Sequence, residues 1–546
     1  MRFALVGFAI FISVSHAFGL DFLTSVSTCN VGAKFESQVG VIDEILNLGP
    51  KCSFDHGLAP TREANEKMMK RKWKTTPFWA QEAIGADLAS EFLAAQSKNM
   101  SVAVGVTDYF GTAQRSGVND REIQTFGLPD RKGQRDHGDQ VINLIEDSRY
   151  GGSLAVRWAF LNEMANGPDP LHLAQAKAKI INASVGGIDN DKRREVEAFI
   201  ERGGIFVKST GNDYPEQNPF ENLEGLISAG AMGPNGLTAP YTQSGATVVV
   251  PSDGIQSSQS EVFSGTSAAS PLLTAALTNA LALNPQLTPA QAIKLLKATS
   301  IPTFESRVGK GAAPNMLNSY RLVRISACLA SSQSNCSDFA KEARRLRADS
   351  KKLINAQDCG SIEQGLKKLR AAYLLSPNDE GANLLAAAYE KLGFSTTAQF
   401  YRSLMKEQSE SYFDQQIKDP LRRESRYFSG ATSTAAIQGL PAIATASRLP
   451  SSNIYFKKAF GYIQEKSRNP DGSTRRLAAE QAAAIGPRAL PLLERMLDDR
   501  DEKVALAAAR GMRLMTLAQG PSRWSDEALA FVKRKGLRDR ISIAYN

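Results

Sequence analysis

The chain has 546 residues and a formal net charge of +9, and 42% of its residues are hydrophobic and 22% charged. This amino-acid composition is typical of globular proteins, and it excludes a disordered chain, a collagen-like fibre and a protein with many membrane spans. The length predicts about three domains. The positive excess is mild and contains no long block of like charges, so we expect no nucleic-acid partner.

The first 17 residues have the pattern of a secretory signal peptide. Arg2 precedes an apolar run over residues 3–14, and small residues lead to a cleavage site after Ala17. The run is shorter than the roughly 20 residues that a membrane-spanning helix needs. We therefore expect an exported protein, secreted or periplasmic, with no integral membrane segment once residues 1–17 are removed.

Residues 78–325 alternate short apolar runs with helical patterns. The pattern predicts strands over 101–107, 179–185, 204–209 and 246–250, and helices over 154–165 and 191–202. Such alternation predicts an α/β domain in which a mostly parallel sheet is covered by helices on both faces, giving three layers.

After about residue 326 strand signals nearly vanish, which predicts an all-α region. In residues 326–428, helices predicted over 360–375, 379–392 and 396–407 resemble a single tetratricopeptide repeat. Residues 429–546 start with a linker over 429–436 and continue with helices predicted over 477–485, 488–498 and 503–515, which resemble a HEAT-type repeat. A generic helical bundle is the alternative. Either arrangement offers surfaces for a protein partner.

Four short segments of the α/β part carry polar residues suited to acyl transfer. Asp108 ends a predicted buried strand, and His137 opens a helix in an Asp-His-Gly triplet that recurs only around His56. Asn212 follows the third predicted strand, where its amide can donate to a developing oxyanion. Ser267 precedes a helix predicted to start near Pro271, where backbone N–H groups favour negative charge.

Together these segments resemble the subtilisin-like serine peptidases over residues 78–325. The order Asp108, His137, Ser267 is the order of the subtilisin triad, and Ser264-Gly265-Thr266-Ser267 resembles the family's nucleophile motif. The resemblance implies that Ser267 attacks the scissile carbonyl, that His137 is the general base, that Asp108 orients it, and that Asn212 with the Ser267 N–H forms the oxyanion hole. It also implies that polypeptide substrate pairs as an extended strand with Ser184, Val185 and Gly186.

The resemblance leaves several points open. Residues 18–77 are either a short pro-segment with a processing site at 70–72 or an extension held by disulfides. Five cysteines suit an oxidising compartment, with Cys29–Cys52 and Cys328–Cys336 as one pairing and Cys359 as an alternative partner. No cofactor is expected, and structural calcium is not indicated. Lys208 and Ser209 stand where the family's strand has apolar residues.

Three other functions compete with an exported serine endopeptidase. One is a catalytically silent peptidase fold whose helical repeats bind protein partners, which the intact set of catalytic residues argues against. Another is a sedolisin-like acid peptidase, disfavoured because His137 stands where that family has a glutamate. The third is a lipase or esterase, disfavoured by the order of the motifs.

Overall fold

The computed structural model describes the chain in segments separated by gaps. The described residues are 75–76, 78–96, 101–108, 125–126, 137–147, 152–163, 178–185, 190–214, 218, 220, 222–257, 262–309, 313–331, 338–354, 359–406, 413–414, 417, 441–516 and 523–542. The predicted signal peptide, most of the N-terminal extension and the predicted linker at 429–436 lie outside them. Within the described part, no helix combines the length and apolarity needed to cross a bilayer.

A seven-stranded parallel sheet forms the centre of the α/β part. Its spatial order is β2-β3-β1-β4-β5-β6-β7, and every neighbouring pair is parallel. The strands are β1 Val102–Asp108, β2 Thr125–Phe126, β3 Val156–Glu163, β4 Ile180–Ala183, β5 Ile205–Ser209, β6 Ile227–Met232 and β7 Val248–Pro251. Two short strands, β8 Ile255–Gln256 and β9 Val262–Phe263, form a separate antiparallel pair. The predicted parallel sheet is confirmed, with β1, β4, β5 and β7 within two residues of the expected starts.

The prediction for residues 154–165 is wrong, because they contain strand β3 and not a helix. Its central residues 158–161 are Trp-Ala-Phe-Leu, a run of large apolar side chains that fits a helix or a strand equally well. The strand pairs along most of its length with β1. Partners far away in the sequence therefore decide the conformation of this segment.

The helices that accompany the sheet cover both of its faces, as predicted. They are α1 Trp79–Ile84, α2 Ala86–Ala94, α3 His137–Glu146, α4 Asn190–Glu201, α5 Thr266–Leu283, α6 Pro289–Thr299, α7 Phe304–Val308 and α8 Ser319–Ala330. Val207 of β5 points into the core that contains α5, whereas its neighbour Phe206 packs against Phe199 of α4 on the other face. Helix α5 is buried along most of its length because it contacts five of the strands.

The region after residue 326 is helical over the residues described. Its helices are α9 Phe339–Ile354, α10 Cys359–Leu375, α11 Asp379–Lys391, α12 Ser395–Ser403, α13 Pro441–Arg448, α14 Ile454–Lys466, α15 Gly472–Ile485, α16 Leu490–Met496, α17 Glu502–Thr516, α18 Arg523–Lys535 and α19 Arg538–Ser542. A 3-10 turn at Pro487–Ala489 precedes α16. The all-α character of this region is therefore confirmed, while its assignment to tetratricopeptide and HEAT repeats remains a prediction.

Helices α10 to α12 share one apolar core with the sheet. The Phe400 ring makes a T-shaped contact with Trp79 of α1, with the ring centroids 5.6 Å apart. Beside this contact, Arg370 of α10 forms a bidentate ion pair with Asp87 of α2, at 2.6 and 3.1 Å. Both side chains are buried. Helices α1 and α2 are thus enclosed between the sheet layers and the C-terminal helices.

Candidate active site

Asp108 and His137 meet at the carboxyl edge of the sheet, where ligand sites of open α/β sheets form. Asp108 ends β1 and is fully buried, and His137 is the first residue of α3. The Nδ1–H of His137 donates to Oδ1 of Asp108 at 2.6 Å. With Nδ1 protonated, Nε2 carries the lone pair and is the nitrogen that can act as a base. The imidazole ring also makes a T-shaped contact with the Phe263 ring, with the ring centroids 5.2 Å apart.

The pKa of His137 lies above the ordinary imidazole value of 6.5. Burial lowers the pKa, but the negative charge of Asp108 and the hydrogen bond to it outweigh burial. An imidazolium formed at this position is therefore stabilised by the carboxylate next to it.

Ser267 is in the first turn of α5, which begins at Thr266 and not near Pro271 as predicted. Gly265 precedes the helix with φ +105°, a left-handed value that favours glycine. Ser267 is partly exposed, and its hydroxyl donates to the backbone oxygen of Ser184 at 2.8 Å. Ser267 thus contacts the segment predicted to hold substrate.

Asn212 is oriented by the residue next to Ser267. The backbone N–H and the hydroxyl of Thr266 both donate to Oδ1 of Asn212, each at 3.0 Å. Because an N–H can only donate, these bonds identify Oδ1, and the Nδ2 amide group lies on the other side of the side chain. Gly211, with φ +103°, makes the turn before it, where a Cβ would lie 1.6 Å from Oε1 of Gln243. No side chain larger than hydrogen fits at position 211 unless Gln243 moves.

A buried polar network below Ser267 fixes α5 to the end of β4. The hydroxyls of Ser270 and Thr274 donate to Oδ1 of Asn182 at 2.6 and 2.9 Å, and Nδ2 of Asn182 donates to Ser184 at 3.0 Å. The sequence analysis assigned no role to Asn182, Ser270 and Thr274, or to Thr266. A signal was present, because Ser270 and Thr274 are four residues apart and so lie on one helix face.

Of the residues expected to bind substrate, Ser184 and Val185 are described and both are buried. Gly186 lies outside the described residues. The backbone oxygen of Val185 accepts a hydrogen bond from Nζ of Lys208 at 2.9 Å. For a metal, no group of three or more His, Cys, Asp or Glu side chains occurs in the described segments.

Helix α13 contacts the loop that follows Asn212. The hydroxyls of Tyr214 and Ser447 are 2.8 Å apart, and the guanidinium of Arg448 lies 4.3 Å from the centroid of the Tyr214 ring. Arg448 also donates to the backbone oxygens of Ala239, Pro240 and Thr242. Part of the C-terminal region therefore supports the loop carrying the candidate oxyanion residue.

We expect Arg448→Met to lower the free energy of unfolding by about 2–4 kcal/mol, because it leaves backbone oxygens without their charged donor. Urea unfolding of the full chain measures the change. The control is Arg476→Met, whose guanidinium forms an exposed pair with Glu480 one helical turn away; it is expected to cost under about 0.5 kcal/mol. Equal losses in the two variants would contradict the supporting role of Arg448.

Comparison with known proteins finds similarity to one family and to several solved structures. No curated protein matches the chain at a significant level. Among solved structures, a cold adapted subtilisin-like serine proteinase is 19% identical, covering 40% of this chain and 89% of its own, with a TM-score of 0.34. Fervidolysin from Fervidobacterium pennivorans, a keratinolytic enzyme, is 16% identical, covering 45% of each chain, with a TM-score of 0.35. The A-subunit of the AB5 toxin from E. coli is 15% identical, covering 46% and 99%, with a TM-score of 0.36.

The model of the subtilase family matches residues 153–320, which is less than a third of the chain. The match includes Ser184, Asn212 and Ser267, while Asp108 and His137 precede it. Over residues 153–320 the chain is therefore similar to the subtilase family, and the parallel sheet with helices on both faces fits a domain of this kind.

Proposed function

We propose that the chain is an exported serine endopeptidase with Asp108, His137 and Ser267 as its catalytic triad. The observation that carries the proposal is the 2.6 Å hydrogen bond from His137 to the buried Asp108. It occurs in a subtilase-type domain whose Ser267 starts a helix beside Asn212. A histidine held by a buried carboxylate is the base that a serine nucleophile requires.

In the proposed mechanism, Ser267 Oγ bonds to the carbonyl carbon of the scissile peptide as its proton passes to Nε2 of His137. The imidazolium then protonates the leaving amine, the C–N bond breaks, and an acyl-serine remains. His137 next removes a proton from water as the water oxygen attacks the ester carbon, and it gives this proton to Ser267 Oγ as the ester C–O bond breaks and the acid product leaves. Because the hydroxyl of Ser267 donates to Ser184 in the resting structure, it must first rotate toward His137.

The negative oxygen of the tetrahedral intermediate would be held by the Ser267 N–H and by Nδ2 of Asn212. The two bonds from Thr266 hold this amide in place, so its donor is positioned before the reaction begins. Substrate would pair as an extended strand with Ser184, Val185 and Gly186, through backbone hydrogen bonds. This chemistry calls for no cofactor.

The proposal includes export by residues 1–17, to the periplasm or the medium, and binding of a protein partner by the C-terminal helices. Export is supported by the basic and apolar pattern of the first 17 residues. For partner binding, the support is the extent of the helical surface beyond α12.

The test is labelling of the purified full chain by a fluorophosphonate, with casein cleavage at neutral pH. We expect the wild type to be labelled and active, and Ser267→Ala to be neither. Ser264→Ala is the matched control, because this serine is three residues away and accepts a bond from the Gly254 N–H. A folded wild type that is neither labelled nor active, or a Ser267→Ala variant that is still labelled, would refute the proposal.

A further inference from the structure

Lys208 is a buried lysine beside the candidate active site, and the mechanism above does not use it. Lys208 lies in β5 and is 3% exposed. Nζ donates to the backbone oxygens of Val185 at 2.9 Å and Ser209 at 3.2 Å. The ammonium therefore bridges the carboxyl ends of the neighbouring strands β4 and β5.

This ammonium is a buried charge without a negative partner in the described part of the chain, where no carboxylate lies within ion-pairing distance. Burial lowers the pKa of Lys208 to about 8, so the group is still mostly protonated at neutral pH. Burial of an uncompensated charge is costly. The two backbone oxygens accept hydrogen bonds but carry no net charge, and an anion would stabilise the site further.

A second donor belongs to the segment whose Phe220 ring contacts Lys208. Nζ of Lys208 is 5.4 Å from the centroid of the Phe220 ring, and the Phe220 N–H donates to Oδ1 of Asn218 at 3.0 Å. Asn218 is 3% exposed, and its Nδ2 meets no acceptor among the residues described. The Lys208 ammonium and the Asn218 amide group both donate hydrogen bonds. They therefore fit a ligand group that only accepts hydrogen bonds.

The position of Lys208 relates it to the proposed substrate. Val185 follows Ser184, whose oxygen accepts from Ser267, and Ser209 is three residues before Asn212. The scissile carbonyl must place its carbon beside Ser267 and its oxygen beside Asn212. In this placement the side chain preceding the cleaved bond would face the carboxyl ends of β4 and β5, which Lys208 bridges.

We propose that Lys208 is a specificity-determining residue and that the peptidase cleaves after acidic side chains. The carboxylate of a substrate Asp or Glu would pair with Nζ of Lys208 and accept from Nδ2 of Asn218. The inference rests on the proposed peptidase activity and adds the substrate class. Loss of a hydrogen bond to a charged group corresponds to about 10–100-fold in kcat/KM.

The test uses quenched fluorescent peptides that differ only in the residue before the cleaved bond, which is Glu, Gln, Leu or Lys. The wild type is expected to cleave the Glu peptide about 10–100-fold faster in kcat/KM than the Gln and Leu peptides. Lys208→Met should lose this preference by slowing cleavage of the Glu peptide, while cleavage of the Leu peptide changes little.

Lys179→Met is the matched control, because Nζ of Lys179 donates to the Gly203 oxygen at 3.0 Å and bridges the other end of β4 and β5. Lys179→Met should keep the preference for the Glu peptide. Asn218→Leu, which leaves Lys208 in place, should reduce this preference. A wild type that is labelled by the fluorophosphonate but cleaves the Leu or Gln peptide as fast as the Glu peptide would overturn the inference alone. A wild type that is neither labelled nor active would overturn it together with the peptidase proposal.

Discussion

Replacement of Asp108 by asparagine is expected to lower kcat about 10⁴-fold at neutral pH. Asp108 accepts from Nδ1 of His137 at 2.6 Å, while an asparagine amide facing Nδ1 favours the other tautomer and leaves the base protonated at the wrong nitrogen. It also removes the negative charge that stabilises the imidazolium. Steady-state cleavage of a peptide substrate measures the loss. The control is Asp498→Asn, which replaces an exposed carboxylate that pairs with Arg540. This variant should keep full activity.

The pH profile of the residual activity separates this role from a structural one. His137 must be neutral to act as a base, so wild-type activity should fall as the pH drops through a pKa that Asp108 holds above 6.5. In Asp108→Asn the attraction is gone and burial still lowers the pKa of His137. The acid limb of kcat/KM should therefore move to lower pH. An unshifted acid limb would count against a direct role for Asp108.

Replacement of Asp87 by alanine is expected to lower the free energy of unfolding by about 3–5 kcal/mol. Each side chain of the Asp87–Arg370 pair is 6% exposed, so removal of the carboxylate leaves a buried guanidinium without its partner. This residue lies in α2 and its partner in α10, so the variant weakens the junction between the sheet layers and the C-terminal helices. Urea unfolding of the full chain, followed by tryptophan fluorescence, measures the change.

Glu91→Ala is the control for Asp87→Ala because it breaks a pair between the same two helices. Glu91 pairs with Lys367, and both side chains are more than a third exposed. Solvent screens this pair, so its removal should cost less than about 1 kcal/mol. If the two variants lost the same stability, burial would not be the reason for the strength of the Asp87–Arg370 pair.

The sequence allowed prediction of the parts of the fold in which local pattern and tertiary environment agree. Strands β1, β4 and β5 are short apolar runs between helices, and the carboxyl ends of parallel strands bring Asp108, Asn212 and the substrate segment to one edge. Strand β3 was missed because its bulky apolar residues fit either conformation. Its pairing with β1 is a property of the whole sheet.

The contacts of the candidate site were less predictable than its residues. The Asp108–His137 contact follows from a strand end meeting a helix start, which chain order suggests. The hydrogen bond from Ser267 to Ser184 depends on a side-chain rotation that no sequence pattern encodes. The burial of Lys208 and the Asp87–Arg370 pair, 283 residues apart in sequence, depend on tertiary packing.

The contact between Trp79 and Phe400 has a consequence for synthesis of the protein. The ribosome must translate the whole stretch from α1 to α12 before this contact can form. At roughly 5–20 residues per second this takes about 15–65 s. During that interval the apolar faces of α1 and α2 lack their C-terminal partners and can bind a chaperone. Completion of the core that the sheet shares with α10 to α12 therefore follows translation of the first strand by many seconds.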